Sequence, residues 1–208
     1  MAKSKSIFLY HFTHVANLPS IAKGGLVCKT LAQDVKVDAS LANIQNRRQR
    51  KVVTCGPGGV LHNYTPFYFS YRSPMMYLIS KGEVPSYEGT QYELIYLVTR
   101  VKSIHREGLP FVFTDGHPIK FPSKFYESLE DLSKIDWQVI GSKWWNDTPE
   151  FPDRERRRQA EFLIYQRCPW SLISYIGVAN ESKKKEVERI LAGESHMPQV
   201  LLRKHWYY

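Results

Sequence analysis

Glu161 stands in the run Ala160-Glu161-Phe162-Leu163-Ile164-Tyr165, and Arg154, Arg156, Arg157 and Arg158 lead into it. The run has the length and composition of a β-strand, and Glu161 is its only charge. On a strand, Glu161, Leu163 and Tyr165 project to one face while Phe162 and Ile164 project to the other, towards a core. A carboxylate on a rigid strand with cations just upstream suits a catalytic role. The competing reading makes Glu161 the outward residue of an edge strand, paired with an arginine at the surface.

Two other stretches carry groups able to bind or react. His11 and Thr13 follow the apolar stretch Ile7 to Tyr10, so a strand end delivers an imidazole and a hydroxyl to one place. Further on, Asn43 to Lys51 packs Arg47, Arg48, Arg50 and Lys51 into five positions, ahead of the loop Gly56-Pro57-Gly58-Gly59. A basic run of this kind is either a solvated face or a loop that touches several phosphates.

The elements that must position these groups are read from periodicity and punctuation. Asn17-Leu18-Pro19 caps a short helix that Gly24-Gly25 ends. Phe67 to Tyr71 is predicted as a strand running into a helix opened by Ser73-Pro74, and that junction presents unpaired N–H groups to an anion such as a pyrophosphate. Tyr92 to Val98 and Pro110 to Thr114 read as strands, Lys124 to Leu132 as a helix capped by Ser123, and Trp137 to Ile140 as a strand. A strand over Leu172 to Val178 precedes a helix from Asn180 with Val187, Ile190 and Leu191 at helical spacing, and Gln199 to Arg203 and Trp206 to Tyr208 close the chain as strands. With no internal repeat and no linker, the 208 residues form one α+β domain.

Composition narrows the function classes. Lys and Arg number 29 against 20 Asp and Glu, a formal charge of +9, and 13% of residues are aromatic, a pairing that suits unpaired nucleic acid through phosphate contacts and base stacking. Cys28, Cys55 and Cys168 give neither a paired disulfide framework nor a metal knuckle, which fits reducing cytoplasm, and His11-x-x-His14 alone is weak as a metal motif. The basic start MAKSKSIFLYHF has no long apolar core of a signal peptide, and no stretch approaches the roughly 20 apolar residues of a membrane span. The expectation is a cytoplasmic protein without a metal or a membrane.

Three blocks carry a family resemblance over nearly the whole chain: Tyr10-His11-Phe12-Thr13 with Asn17-Leu18-Pro19 and Gly24-Gly25-Leu26; Pro66-Phe67-Tyr68-Phe69 with Arg72-Ser73-Pro74-Met75; and Arg158-x-Ala160-Glu161-Phe162-Leu163. In these the chain resembles the DarT family of DNA ADP-ribosyltransferase toxins. The resemblance implies an ADP-ribosyltransferase fold, two small antiparallel sheets forming an NAD cleft, with peripheral helices. It implies transfer of ADP-ribose from NAD to a base in single-stranded DNA, usually thymine and in one branch guanine, with no metal, and a macrodomain antitoxin as partner.

Carried onto this chain, the resemblance makes Glu161 the catalytic glutamate and Arg48 the catalytic arginine, with Arg47 the alternative. It puts His11, Thr13, Asn17, Leu26, Tyr68, Tyr71 and Arg72 on the cofactor side. Arg47, Arg50, Lys51, Met75 and Arg154 fall on the DNA side, and His117 is a further candidate for substrate or pyrophosphate contact. In the expected chemistry Glu161 stabilises an oxocarbenium-like ribose as nicotinamide leaves and assists proton removal from the base. Arg48, which is rarely a base because its pKa exceeds about 12, polarises the base carbonyl. The rival readings are an enzyme of the same fold acting on RNA or protein, and a non-catalytic nucleic-acid binder whose Glu161 is a surface ion pair.

Overall fold

The computed structural model describes residues 6–33 and 35–208; the basic start Met1–Lys5 and Asp34 lie outside them. In chain order the elements are β1 (Phe8–His14), α1 (Leu18–Gly24), β2 (Leu26–Val27), α2 (Ala42–Arg50), β3 (Tyr64–Tyr68), α3 (Pro74–Ser80), β4 (Leu94–Arg100), α4 (Val101–Arg106), β5 (Phe111–Thr114), β6 (Phe125–Tyr126), α5 (Trp137–Gly141), α6 (Arg154–Arg158), β7 (Glu161–Tyr165), β8 (Arg167–Cys168), β9 (Tyr175–Val178), α7 (Glu181–Leu191) and β10 (Gln199–Leu202).

Eight strands form one sheet in the order β10-β9-β4-β1-β3-β7-β5-β6, and β2 pairs with β8 in a separate two-stranded sheet. β1 is laddered to β4 along its whole length, from Phe8↔Arg100 to His14↔Leu94. It meets β3 at a single pair, Tyr10↔Tyr68. The large sheet is therefore two halves, β10-β9-β4-β1 and β3-β7-β5-β6, joined at one point. Where β1 and β3 part, backbone gives way to side chains, and a cavity opens along that seam.

β7 lies between β3 and β5, with Phe67↔Phe162 on one side and Phe113↔Phe162 on the other, so it is a central strand and not an edge. Phe162 and Ile164 pack into the main core, and Leu163 packs on the opposite face with Tyr64 and Val112. The Phe162 ring stacks on Phe111 at 4.7 Å. Each such side chain taken from water stabilises the fold by roughly 1.5–3 kcal/mol, so the strand carrying Glu161 is tightly fixed.

Three predicted elements differ in kind from those observed, the strand predicted over Phe67 to Tyr71 lies earlier as β3 at Tyr64–Tyr68, and the basic run left open above has a regular structure. The basic run Asn43 to Lys51 is a helix, α2, because Ile44 and Arg48, four residues apart, form its inward face. Trp137 to Ile140 is also helical: Asp136 caps α5 by accepting from the Val139 N–H at 3.0 Å. Lys124 to Leu132 holds β6 and the start of a 3-10 turn rather than a helix, and Trp206 ends a 3-10 turn, with Tyr207 and Tyr208 after it, rather than opening a strand. The helices predicted after Asn17, Ser73 and Asn180 are present, and Ser73 and Asn180 cap theirs by accepting from Met76 N–H and Lys183 N–H.

Candidate active site

Glu161 opens β7 opposite Tyr68 and is 3% exposed. Its backbone N–H donates to Thr114 Oγ1 at 3.1 Å, and that hydroxyl donates to Gly116 O, so the carboxylate rests on a fixed backbone. Arg48 arrives from the last turn of α2, 7% exposed, and donates Nη1 to Oε1 at 2.8 Å and Nη2 to Oε2 at 2.9 Å. The parallel fork matches a carboxylate and a guanidinium edge to edge. Burial pulls the Arg48 guanidinium down, but the Glu161 charge and its hydrogen bonds outweigh this and the net direction is up. Each carboxylate oxygen has two acceptor positions, so Glu161 can take a further donor from the cavity without releasing Arg48.

The cavity beside this pair has a volume of about 570 Å³, within the range of small-molecule clefts. His11 lines it from β1 and donates Nδ1–H to Pro66 O at 2.8 Å, a side-chain bridge between β1 and β3 beyond their one paired position. Burial pulls this imidazole down to about 4, against the Pro66 hydrogen bond, so the ring is neutral at neutral pH and its Nε2 is an acceptor. Tyr68 lies beside the pair, its ring stacked on Phe12 at 6.3 Å. Burial first and the Glu161 charge second push its phenol up, so the hydroxyl keeps its proton.

Asn17 lines the same cavity, but its amide is fully engaged. Nδ2 donates to Thr13 Oγ1 at 3.0 Å and to Val37 O at 2.8 Å, while Oδ1 accepts from Lys36 N–H at 2.8 Å and Val37 N–H at 3.1 Å. It holds the segment from Val35 to Leu41 against β1, and that segment forms one wall of the cavity. Asn17 therefore shapes the wall, through its neighbours, rather than offering free polar atoms.

His117 lines the wall opposite and is buried. Its Nδ1 accepts from Ile119 N–H at 3.3 Å, which leaves the ring proton on Nε2. Burial pulls it down to about 3, with the positive charges of Arg48, Lys120 and Arg47 acting in the same direction. The two imidazoles are thus neutral with opposite tautomers, one an acceptor and the other a donor. At the same wall Lys120 Nζ meets Glu155 Oε1 at 2.9 Å, and Gln159 donates Nε2 to Glu155 O at 3.1 Å. Sequence reading missed Lys120, Glu155 and Gln159; the nearness of Glu155 and Gln159 to Glu161 was the available signal.

The residues 10–208 match a family model described as DarT, ssDNA thymidine ADP-ribosyltransferase. The chain belongs to the DarT family. A relative from Thermus sp. (strain 2.9), named DNA ADP-ribosyl transferase, is 41% identical over 203 residues, covering 96% of this chain and 95% of the relative. The solved structure of Thermus sp. 2.9 DarT in complex with ADP-ribosylated ssDNA superposes with a TM-score of 0.92 at 40% identity, covering 97% of this chain and 96% of that one. The complex of Thermus sp. 2.9 DarT with NAD+ gives 0.90 at 38% identity, covering 98% of each chain. The fold is thus that of DarT, and here its two halves meet at Tyr10↔Tyr68.

Of the residues that the DarT resemblance singled out, Arg48, Glu161, His11, Thr13, Asn17, Leu26, Tyr68, Met75 and His117 are brought together around the cavity. Tyr71 and Arg72 do not line it. Tyr71 stacks on Trp206 at 5.3 Å, and Arg72 donates to Tyr207 O at 2.9 Å and lies 5.1 Å over the Tyr208 ring. The turn after β3 has carried both away from the seam. Arg47, Arg50 and Lys51 also lie off the cavity, since of the cations in this run only Arg48 is turned inward. Arg47 donates to Ile119 O at 3.4 Å, Arg50 to Asn46 O at 3.3 Å, and Lys51 lies 5.9 Å over Phe125. Arg154 packs outside as well, donating to Ser142 Oγ at 2.9 Å and to Trp144 O. Among the described residues, no group of three His, Cys, Asp or Glu is arranged to hold a metal, and no helix is long and apolar enough to cross a membrane.

Proposed function

We propose that this chain transfers ADP-ribose from NAD to a thymine base in single-stranded DNA. The observation that carries the reading is the Glu161 carboxylate, buried on a central strand at the cavity and held two-pronged by Arg48. A non-catalytic binder with a surface ion pair has no use for a carboxylate in that place, and desolvating both charges is costly. The cavity suits NAD by its volume, the Tyr68 ring, the neutral acceptor on His11 and the donor on His117.

In the proposed reaction the bond between nicotinamide and ribose breaks, its electron pair leaving with nicotinamide, and positive charge grows on the sugar. Glu161 stabilises that charge from a position shielded from water and accepts from a ribose hydroxyl; one such stabilising group contributes about 10² to 10³ in rate. A ring nitrogen of thymine attacks the anomeric carbon and passes its proton to the Glu161 carboxylate as the new bond forms. Arg48, whose charge is secured by its partner, polarises the base and favours negative charge on the ring. Single-stranded substrate is favoured because its base enters the cavity without the cost of unpairing a duplex. A macrodomain antitoxin that removes the mark is the partner this reading implies.

Incubating the protein with NAD and a mixture of single-stranded oligonucleotides, then measuring masses, tests the reading. One added ADP-ribose on thymine-containing strands is the expected result. No adduct on any sequence, with the protein folded and NAD bound, would overturn it.

A further inference from the structure

Phe121 is 96% exposed, at the tip of the segment between β5 and β6. The base of that segment is fixed on several sides. His117 N–H donates to Arg156 O at 2.8 Å, Arg156 Nη1 to Ser123 Oγ at 2.8 Å, and Lys124 N–H to Asp115 Oδ1 at 2.9 Å. Within the tip, Ser123 N–H donates to Lys120 O at 3.0 Å. The ring therefore stands in water on a braced loop, not on a floppy one. The residue before it, Lys120, lines the cavity and pairs with Glu155 at its wall, so the loop that carries the ring borders the cavity.

Cations gather on the same loop. Lys124 is exposed three residues on; Arg47 reaches Ile119 O from α2, and Lys51 lies over Phe125. Exposed Trp144 and Phe151, by contrast, are each already covered by a cation of their own, Lys143 at 5.1 Å and Arg154 at 5.7 Å. An open aromatic face set among cations is the arrangement that grips an unpaired strand, bases stacking on the ring and phosphates meeting the charges. The brace lowers the ordering cost of that contact.

We propose that Phe121 is a stacking platform for a nucleotide flanking the modified base, with Arg47, Lys51 and Lys124 meeting the neighbouring phosphates. The inference rests on the single-stranded DNA reading and adds to it a position outside the cavity. It also gives a place to two of the cations that the cavity leaves out.

The test pairs Phe121→Ala and Phe121→Trp with oligonucleotides that carry one modifiable thymine and an abasic site at each flanking position in turn. Phe121→Ala is expected to raise the KM for the intact oligonucleotide by about 5- to 150-fold, the range of one lost base stack. Phe121→Trp is expected to keep it within a few-fold of the parent. One particular abasic position should raise the parent's KM by a similar factor and leave Phe121→Ala little further affected, because the partner of the stack is already gone. Equal KM for Phe121→Ala and parent, or a loss that persists undiminished at every abasic position, would overturn the platform. Transfer to DNA by the parent protein separates this failure from failure of the DNA reading, which would appear as no transfer by the parent at all.

Discussion

Arg48 and Glu161, 113 positions apart in sequence, form a buried two-pronged ion pair with N–O distances of 2.8 and 2.9 Å. Desolvation makes such a pair a poor source of net stability, yet removing one partner strands the other's charge. Stability and activity therefore separate. Glu161→Gln is expected to lower unfolding free energy by up to about 3–5 kcal/mol by leaving the guanidinium unpaired. It should also lower transfer about 10²- to 10³-fold. Arg48→Met combined with Glu161→Leu should recover most of the stability and none of the transfer. Urea unfolding of the three proteins beside the oligonucleotide mass assay checks this; restored transfer in the double variant would remove Glu161 from the chemistry.

Arg47 and Arg48 are neighbours in sequence with opposite surroundings, one exposed beside Ile119 O and the other buried on Glu161. Arg48→Lys should reduce transfer about 10²-fold or more, because an ammonium cannot span both carboxylate oxygens. Arg47→Ala should leave transfer at saturating DNA nearly intact, while the slope of log KM against log salt falls by about 0.7, one phosphate's share. Steady-state assays over a salt series distinguish the two, and equal loss of turnover in both variants would sink the distinction.

What the sequence could disclose follows from these same residues. β7 was legible because Phe162, Leu163 and Ile164 are all buried, which leaves a near-continuous apolar run. The capped helices α3 and α7 were legible because Ser73, Pro74 and Asn180 act locally. α2 was not: its inward face holds a guanidinium at Arg48 where a helix usually puts a hydrophobe, and the apolar period is broken by the group the site requires. Trp137 to Ile140 was misread because β-propensity over so short a stretch is overridden by the Asp136 cap. Tyr71 and Arg72 follow the aromatic strand in sequence but turn towards Trp206 and Tyr207, a long-range course that no local pattern marks.

Acid should unfold the protein through its two cavity imidazoles. Both are held below the ordinary 6.5, His11 at about 4 and His117 at about 3, with burial the largest cause in each case. As pH falls below about 6.5 the unfolded chain takes up protons that the folded chain refuses, so stability present above that value is lost progressively towards pH 4 and below. Melting temperature is expected to fall over this range, and more shallowly in His117→Asn, whose side-chain oxygen can still accept from Ile119 N–H. Identical slopes for the two proteins would show that His117 is not a source of the effect.

The four hydrogen bonds of Asn17 fix one cavity wall to β1, two of them through Lys36 N–H and Val37 N–H. Asn17→Ala removes all four while leaving the hydrophobic contacts of α1, Leu18 and Ile21, in the core. Each lost bond costs about 0.5–1.5 kcal/mol in the context of a formed structure, enough together to let the segment open locally many-fold more often. The expected result is faster hydrogen exchange at the Lys36 and Val37 amides, with amides of β4 and β7 unchanged. The KM for NAD should rise about tenfold or more, since binding must first reorder the wall. Asn17→Asp tests the geometry further: its oxygens can still accept from both amides, but it has no donor for Val37 O. It is expected to fall between the parent and Asn17→Ala in both measurements. Unchanged exchange at Lys36 and Val37 in Asn17→Ala would mean that something other than this side chain holds the wall.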